Sequence, residues 1–213
     1  MKRVVGIELI IKGKPNNHNS PIIICNHQSW FDIPLVQEVI SSNGPIIKFL
    51  IKRELMWVPI IGWICLALDF PRLQRNKNKD SESSDFSIIQ KASRKHGRES
   101  GALLIFPEGT RFTEQKRTLQ NVPYQRLLAP RSGGLKIIQQ HAAPNTPLID
   151  ITIDYHQRKV RIWDCLHGKP KKISIIVEHY LLADIHDIES WLNERWRQKD
   201  KLFSNQTKKR SLL

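Results

Sequence analysis

Cysteine is scarce in this sequence, and the few cysteines stand far apart. The chain of 213 residues contains Cys25, Cys65 and Cys165, and no two of them form a CxxC pair. This spacing argues against a disulfide framework and against a structural zinc site, and it suits a reducing compartment. At this length the chain can form one domain with a real hydrophobic core.

Acidic side chains are also in short supply. Only 20 Asp and Glu face 34 Lys and Arg, which gives a net charge of +14 and a pI near 9.9. A surface of this charge is expected to meet an anionic partner: nucleic acid, a phosphate-bearing substrate or an anionic lipid face. Zinc-finger spacing and an aromatic RNP-type strand are both missing, and the charge is spread along the chain. These absences disfavour nucleic-acid binding, which stays as the alternative function because of the net charge.

The sequence lacks an apolar run long enough to cross a bilayer. Residues 55–68 carry no charge for fourteen positions, whereas a spanning helix needs about 20 apolar residues. Pro59 and Gly62 also interrupt this stretch. It is expected to form a buried helix–loop–strand, to place Trp57 and Trp63 at a lipid–water boundary, or to do both with different faces.

Short apolar runs predict a buried sheet. Residues 21–24 and 102–106 are continuous apolar runs, which are typical of strands in parallel or mixed sheets. Further strands are predicted within 1–13, 46–51, 149–155, 160–163 and 173–177, and helices after Asp32 and over 85–96 and 185–196. This alternation predicts an α/β domain with a mixed, mostly parallel central sheet flanked by helices.

The last stretch of the chain is rich in Lys and Arg. We expect residues 1–194 to form the domain and residues 195–213 to form a basic C-terminal tail. A solvated, frayed tail is the favoured interpretation. Docking of the tail on anionic lipid is the alternative.

A histidine and a carboxylate follow the first apolar run. His27 stands where the strand gives way to a loop, and Asp32 comes five residues later. Histidine can act as a general base near neutral pH, and a carboxylate bonded to its far ring nitrogen fixes the tautomer. Such a pair needs no serine or cysteine nucleophile if the substrate supplies the attacking hydroxyl. Taken alone, the pair is more often a capping or surface arrangement.

A second polar motif follows the run 102–106. Gly109 permits backbone angles that other residues resist. Arg111 offers a fork of donors to a phosphate, and Thr110 adds a hydroxyl. The alternative is an ordinary turn with a surface ion pair. If both strands end at one edge of the sheet, the two motifs form a single site.

The position of Cys25 raises a different chemistry. It lies two residues before His27, so a Cys–His nucleophile pair is an alternative to the His–Asp pair. An apolar strand end usually holds an inert, buried thiol. We therefore expect Cys25 to be structural.

Together the motifs resemble those of the glycerolipid acyltransferase family, whose type member is lysophosphatidic acid acyltransferase. The resemblance rests on Asn26-His27-x-x-x-x-Asp32 followed by Phe106-Pro107-Glu108-Gly109-Thr110-Arg111. It also covers residues 52–62 and continues through residues 129–134 to about Tyr155. The combination is specific, whereas either motif alone is not.

This resemblance implies direct transfer of a fatty acyl group from an acyl thioester to the free hydroxyl of a lysophospholipid. His27 would be the general base, oriented by Asp32. The acceptor's glycerol phosphate would be bound by Glu108, Gly109, Thr110, Arg111 and Arg75, with Arg72 as the alternative to Arg75.

The implied partners follow from this chemistry. The donor is acyl-CoA or acyl carrier protein, and the favoured acceptor is 1-acyl-glycerol-3-phosphate, which gives phosphatidic acid; another lysophospholipid stays open as the acceptor. No metal and no cofactor are implied. The protein is expected on an anionic membrane surface, at the cytoplasmic face of the plasma (inner) membrane, without a nucleic-acid partner.

The sequence departs from the family pattern in two places. Residues 67–70 and 112–114 resemble a branch of the family that includes membrane-anchored lysophospholipid acyltransferases. Apolar anchoring segments usually precede the His–Asp motif in this branch, so we expect either a peripheral form or an incomplete gene product. Asp150 stands at the second proline of the family's fourth motif, after Pro147, which leaves acceptor and acyl-chain preference open. A non-catalytic lipid-binding module is a third alternative, which is not favoured while His27 and Asp32 are both present.

Overall fold

A seven-stranded mixed sheet runs through the molecule. The computed structural model describes residues 2–4, 6–14, 18, 20–40, 47–49, 51–52, 72–73, 87–94, 101–143, 145–157 and 160–210. The strands are β1 (Lys2–Val4), β2 (Ile7–Lys12), β3 (Ile22–Cys25), β4 (Ile47–Phe49), β5 (Ile51–Lys52), β6 (Arg72–Leu73), β7 (Ala102–Ile105), β8 (Pro147–Asp154) and β9 (Lys172–Leu181). The large sheet has the order β1-β2-β9-β8-β3-β7-β4, and β5 pairs with β6 in a small parallel sheet.

Four neighbouring strands of the large sheet run in the same direction. Strands β8, β3, β7 and β4 are parallel, while β9 lies antiparallel to β8 and parallel to β2. Every residue of β3 and β7 is buried, as expected for strands that are apolar on both faces. The predicted α/β fold with a mixed, mostly parallel sheet is confirmed.

Helices cover both faces of this sheet. They are α1 (Asp32–Ile40), α2 (residues 87–94), α3 (Glu114–Gln120), α4 (Gly133–His141), α5 (Ile162–Leu166) and α6 (Ile188–Arg210), with a 3-10 turn at Leu182–Asp184. Alternate residues of β3 face opposite sides. Ile23 packs in the cluster that includes α1, and Ile24 packs in the cluster that includes α4 and α6.

Two local predictions are corrected by the structure. The predicted strand over residues 160–163 is wrong, because a helix begins at Ile162. Both sides of β8 are already paired, with β3 and with β9, so no strand position next to β8 is open to this segment. The single strand predicted within 1–13 is a β1–β2 hairpin, and Gly6 at its turn has φ 77°, a conformation that favours glycine.

The predicted C-terminal tail does not begin at Arg195. Helix α6 continues across the expected boundary between residues 194 and 195. Trp196, Lys199 and Phe203 are all fully buried. The predicted boundary is wrong because two basic residues assigned to the tail, Arg195 and Lys199, point inward and pair with Asp150 of β8.

Some predictions fall outside the described residues. These are the apolar stretch 55–68 with Trp57 and Trp63, and Arg75. The backbone of Arg72 lies in β6. Within the described part of the chain, no helix is both long enough and apolar enough to cross a membrane.

Candidate active site

Three parallel strands deliver the candidate residues to one edge of the sheet. His27 follows β3, the motif 106–111 follows β7, and Tyr155 follows β8. Because β8, β3 and β7 are neighbours and parallel, their carboxyl ends meet at this edge. This arrangement is the usual place for a site in an open α/β sheet. The structure therefore brings the two sequence motifs together.

His27 and Asp32 form a hydrogen-bonded pair. The distance from His27 Nδ1 to Asp32 Oδ2 is 2.8 Å, and the Asp32 side chain is fully buried while that of His27 is 13% exposed. The same carboxylate oxygen accepts the backbone N–H groups of Gln28 at 2.7 Å and Ser29 at 2.9 Å. An ionised carboxylate only accepts, so His27 Nδ1 donates, and in the neutral imidazole this tautomer leaves Nε2 as the acceptor. The ring is thus set up as a base.

A third residue, Tyr155, holds the other oxygen of Asp32. Its hydroxyl donates to Asp32 Oδ1 at 2.6 Å, across 123 residues of sequence. Tyr155 is 1% exposed, and burial together with the charge of Asp32 raises its pKa well above the ordinary value. The hydroxyl therefore keeps its proton and acts as a donor. Sequence reasoning missed Tyr155 as a site residue; the available signal was its position at the end of the strand predicted over residues 149–155, and in the structure it directly follows β8.

The segment after β7 fixes the position of His27. The ring of Phe106 stacks on the imidazole, with centroids 4.0 Å apart and planes inclined by 19°. The backbone N–H of Phe112 donates to the carbonyl oxygen of His27 at 2.8 Å. Both contacts join the two motifs directly, so the orientation of the imidazole depends on this second loop.

Glu108 ties three pieces of backbone together from a buried position. Its Oε1 accepts the N–H of His27 and its Oε2 accepts the N–H of Leu128, each at 3.1 Å, and the residue is 1% exposed. Burial raises the pKa of Glu108 to about 8, and the two backbone donors partly oppose this rise. The geometry gives Glu108 a positioning role for His27. Its contact with an acceptor stays a prediction.

Glu108 should make the stability of the protein depend on pH. Between its ordinary value of 4.5 and its folded pKa of about 8, the unfolded chain releases this proton while the folded chain retains it. The free energy of unfolding should therefore fall as pH rises through this window, by up to about 1.4 kcal/mol per pH unit from this group. Urea unfolding at several pH values should show a flatter slope for Glu108→Gln.

The slope, rather than the absolute stability, is the readout for this variant. A glutamine has one carbonyl oxygen, so one of the two backbone N–H groups loses its acceptor, which costs about 1–3 kcal/mol at every pH. Equal slopes for the wild type and Glu108→Gln would show that the carboxyl group does not titrate within this window.

The rest of the second motif forms a turn in which Gly109 and Thr110 are half-buried and Arg111 is exposed. Gly109 adopts φ 66°, and its N–H donates to the carbonyl oxygen of Phe106 at 2.9 Å. The Thr110 hydroxyl accepts a hydrogen bond from Lys116 Nζ at 2.7 Å. The Arg111 guanidinium lies 4.8 Å from the centroid of the Trp30 ring, a cation–π distance. The predicted contacts of Gly109, Thr110 and Arg111 with an acceptor stay predictions.

A cleft of about 540 Å³ opens beside these loops. It is lined by Gln28, Arg111, Phe112, Thr113, Glu114, Lys116, Val160 and Arg161. Three of these side chains are cationic and one is a carboxylate, so the cleft suits an anionic group. Lys116 and Arg161 were not predicted as site residues, since neither belongs to a motif and Arg161 comes from the connection after β8.

Two further predictions concern a possible nucleophile and a second arginine. Cys25 is fully buried, and this burial, together with nearby carboxylates, raises the pKa of its thiol well above the ordinary value. A thiol of this kind is inert, in agreement with the structural role expected for Cys25. Arg75 lies outside the described residues, so its predicted contact with phosphate stays a prediction.

Comparisons with known proteins point in one direction. Residues 4–154 match the family model described as "Acyltransferase". A probable 1-acyl-sn-glycerol-3-phosphate acyltransferase 5 of Arabidopsis thaliana is 28% identical over 200 residues, which covers 86% of this chain and 52% of the relative. The 1-acyl-sn-glycerol-3-phosphate acyltransferase of Saccharomyces cerevisiae is 27% identical over 150 residues, covering 70% of this chain and 45% of the relative.

A solved structure supports the fold. The 1-acyl-sn-glycerophosphate (LPA) acyltransferase PlsC from Thermotoga maritima superposes with a TM-score of 0.59 at 16% identity, covering 92% of this chain and 72% of that chain. At this level of identity the likeness concerns the fold alone. The chain spans about half the length of the curated relatives named above.

Proposed function

Since this chain belongs to the acyltransferase family, we propose that it transfers a fatty acyl group from an acyl thioester to the free hydroxyl of a lysophospholipid. The favoured acceptor is 1-acyl-glycerol-3-phosphate, which would give phosphatidic acid. The observation that carries the proposal is the buried Asp32 carboxylate, which holds His27 Nδ1 at 2.8 Å beside a cationic cleft. The names of relatives from plants and fungi support the same acceptor class.

The proposed reaction needs one proton transfer in each direction. His27 Nε2 takes the proton of the acceptor hydroxyl as that oxygen attacks the thioester carbonyl carbon. Asp32 stabilises the resulting imidazolium, and Tyr155 and two backbone N–H groups keep that carboxylate in place. The carbon–sulfur bond then breaks, and the imidazolium returns its proton to the departing thiolate. An ester and a free thiol leave, and no acyl-enzyme forms.

The donor is proposed as a substrate, either acyl-CoA or acyl carrier protein. The step requires no resident cofactor or metal in this proposal, because His27 moves the proton and the thioester supplies its own leaving group. Intact-protein mass measurement after incubation with the donor alone should accordingly detect no acylated chain. This outcome fits the buried position of Cys25.

The cationic cleft is proposed to bind the phosphate of the acceptor. Arg111, Lys116 and Arg161 line it, and among the described lining residues Glu114 is the one carboxylate. Arginine is suited to bidentate contact with phosphate oxygens. Arg75, or Arg72 in its place, is proposed as a further phosphate contact. A phosphate monoester, with its second ionisable oxygen, fits this cleft better than a zwitterionic headgroup does.

The location of the protein is also part of the proposal. A lipid acceptor and a net charge of +14 favour the anionic cytoplasmic face of the plasma (inner) membrane. Nucleic acid is not proposed as a partner.

The direct test is acyl transfer by the whole chain. Acyl-CoA and acyl carrier protein thioesters are each offered with a panel of lysophospholipids in detergent micelles, and the products are identified by mass. Transfer to lysophosphatidic acid above all others is the expected result. Folded protein that transfers to none of the acceptors from either donor would contradict the proposal.

Replacing Arg111 by alanine should mainly weaken binding of a phosphate-bearing acceptor. The loss of one charge-assisted contact, worth about 1.5–3 kcal/mol, corresponds to a KM for lysophosphatidic acid roughly 10- to 100-fold higher. Initial rates over a range of acceptor concentrations give this value. With a phosphate-free monoacylglycerol the KM should change little.

An exposed arginine outside the cleft provides the control. Arg197→Ala removes the same charge from α6, where Arg197 pairs with Glu194 at 3.3 Å, and it should leave both KM values unchanged. If Arg111→Ala raises the KM equally for acceptors with and without phosphate, Arg111 does not bind the phosphate.

A further inference from the structure

A short helix beside the cleft exposes two large apolar side chains. In α5, Cys165 is fully buried, whereas Trp163 is 68% exposed and Leu166 is 43% exposed. Trp163 and Leu166 are three positions apart, so they lie on one face of the helix. Solvent-facing apolar side chains of this size at a functional rim indicate an interaction surface.

This helix lies at the edge of the sheet that carries the active site. Residues 160–171 belong to the connection between the end of β8 and the start of β9 at Lys172, and Asp154 pairs with Ser174 across these two strands. This edge is where His27 and Tyr155 follow their parallel strands. Val160 and Arg161 also line the cleft. We call residues 160–172 the docking segment.

The docking segment is strongly basic. Its exposed cations are Arg161, Lys169, Lys171 and Lys172. Its one carboxylate, Asp164, lies 3.2 Å from Lys169. Cations that surround an exposed Trp–Leu pair complement a surface that is apolar inside and anionic at its boundary.

We propose that the docking segment binds an anionic bilayer, with Trp163 and Leu166 inserted at headgroup depth and Lys169, Lys171 and Lys172 on lipid phosphates. Tryptophan is favoured at this boundary, because its apolar ring and its N–H suit the two sides of it. The acyl chain of the acceptor then stays in the bilayer while its headgroup enters the adjacent cleft. This consequence for catalysis, though not the binding itself, rests on the proposed function.

Vesicle sedimentation of the whole chain tests the binding. Vesicles of phosphatidylcholine alone are compared with vesicles of phosphatidylcholine and phosphatidylglycerol in equal parts. The double variant Trp163→Ala with Leu166→Ala should bind the mixed vesicles about 10-fold or more weakly than the wild type. Lys169→Gln and Lys171→Gln should each weaken binding about 5-fold, to the mixed vesicles only.

The control is an equally exposed leucine at the opposite edge of the sheet. Leu181 is 45% exposed and pairs with Pro147 at the amino end of β8. Leu181→Ala should bind vesicles as the wild type does. Circular dichroism and thermal unfolding of each variant verify that the fold is retained.

Transfer assays separate this inference from the proposed function. The double variant should keep the wild-type rate with a short-chain acceptor in solution and lose rate with a long-chain acceptor in vesicles. If the proposed function fails, no variant transfers to either acceptor, yet the loss of vesicle binding remains.

Two results would overturn the inference. One is binding of the double variant to mixed vesicles with wild-type affinity. The other is a double variant that binds vesicles as the wild type does but selectively loses transfer from the acyl carrier protein thioester. That result would assign the docking segment to an acidic carrier protein.

Discussion

Alanine in place of His27 is expected to abolish acyl transfer while the fold remains intact. A positioned general base contributes about 10²- to 10⁴-fold to rate, and the described residues around Asp32 offer no second imidazole to replace it. The His27 ring is partly exposed and packs on Phe106, so its removal should leave the core in place. Single-turnover transfer from saturating thioester to lysophosphatidic acid measures the effect.

Asp32→Asn separates orientation from proton transfer. The asparagine has nearly the same shape, yet it offers one acceptor oxygen where Asp32 now accepts from His27, Tyr155 and two backbone N–H groups. The imidazole then loses the partner that keeps its proton on Nδ1, and the rate should fall by about 10³- to 10⁴-fold.

Retention of more than about a tenth of the wild-type rate by His27→Ala would remove the general-base assignment.

Methionine in place of Lys199 should cause the largest loss of stability. The Lys199 ammonium is fully buried, lies 2.5 Å from Asp150 Oδ1, and donates to the carbonyl oxygen of Ile151 at 2.8 Å. Among the described residues, its removal leaves the buried Asp150 with one cationic partner, Arg195 at 2.8 Å. Breaking a buried ion pair by removing one partner costs about 3–5 kcal/mol. Urea unfolding followed by circular dichroism measures this cost.

A double-mutant cycle identifies the cause of that loss. Asp150→Asn in the Lys199→Met background removes the carboxylate that Lys199 no longer neutralises, so the double variant should be more stable than the sum of the single effects predicts, by about 0.5–3 kcal/mol. Arg197→Met on the exposed side of α6 is the matched control and should stay within about 0.5 kcal/mol of the wild type. A change of under about 1 kcal/mol for Lys199→Met would show that the ion pair does not stabilise α6.

The same network explains a departure from the family pattern. Asp150 stands where the resemblance expects a proline, and in the structure it is the fully buried partner of Arg195 and Lys199. Arg195 also pairs with Glu178 of β9. Strands β8 and β9 are thus joined to the C-terminal helix by two cations, Arg195 and Lys199, that the sequence analysis placed in a solvated tail.

Local features of the sequence determined the strands β3 and β7 and the motifs that follow them. A continuous apolar run reports burial on both faces whatever its neighbours are. The five-residue interval between His27 and Asp32 spans a single strand-to-helix turn, so both residues could be read together. For this reason the α/β class and the His27–Asp32 candidate pair could be predicted from the sequence.

The tertiary structure alone decided which distant residues join them. Tyr155 reaches Asp32 and Arg161 reaches the cleft because β8 lies beside β3, and strand order results from packing between segments far apart in sequence. The inward turn of Glu108 and of Lys199 has the same origin. A charged side chain is buried only where the fold supplies partners for it, and those partners are not visible in the local sequence.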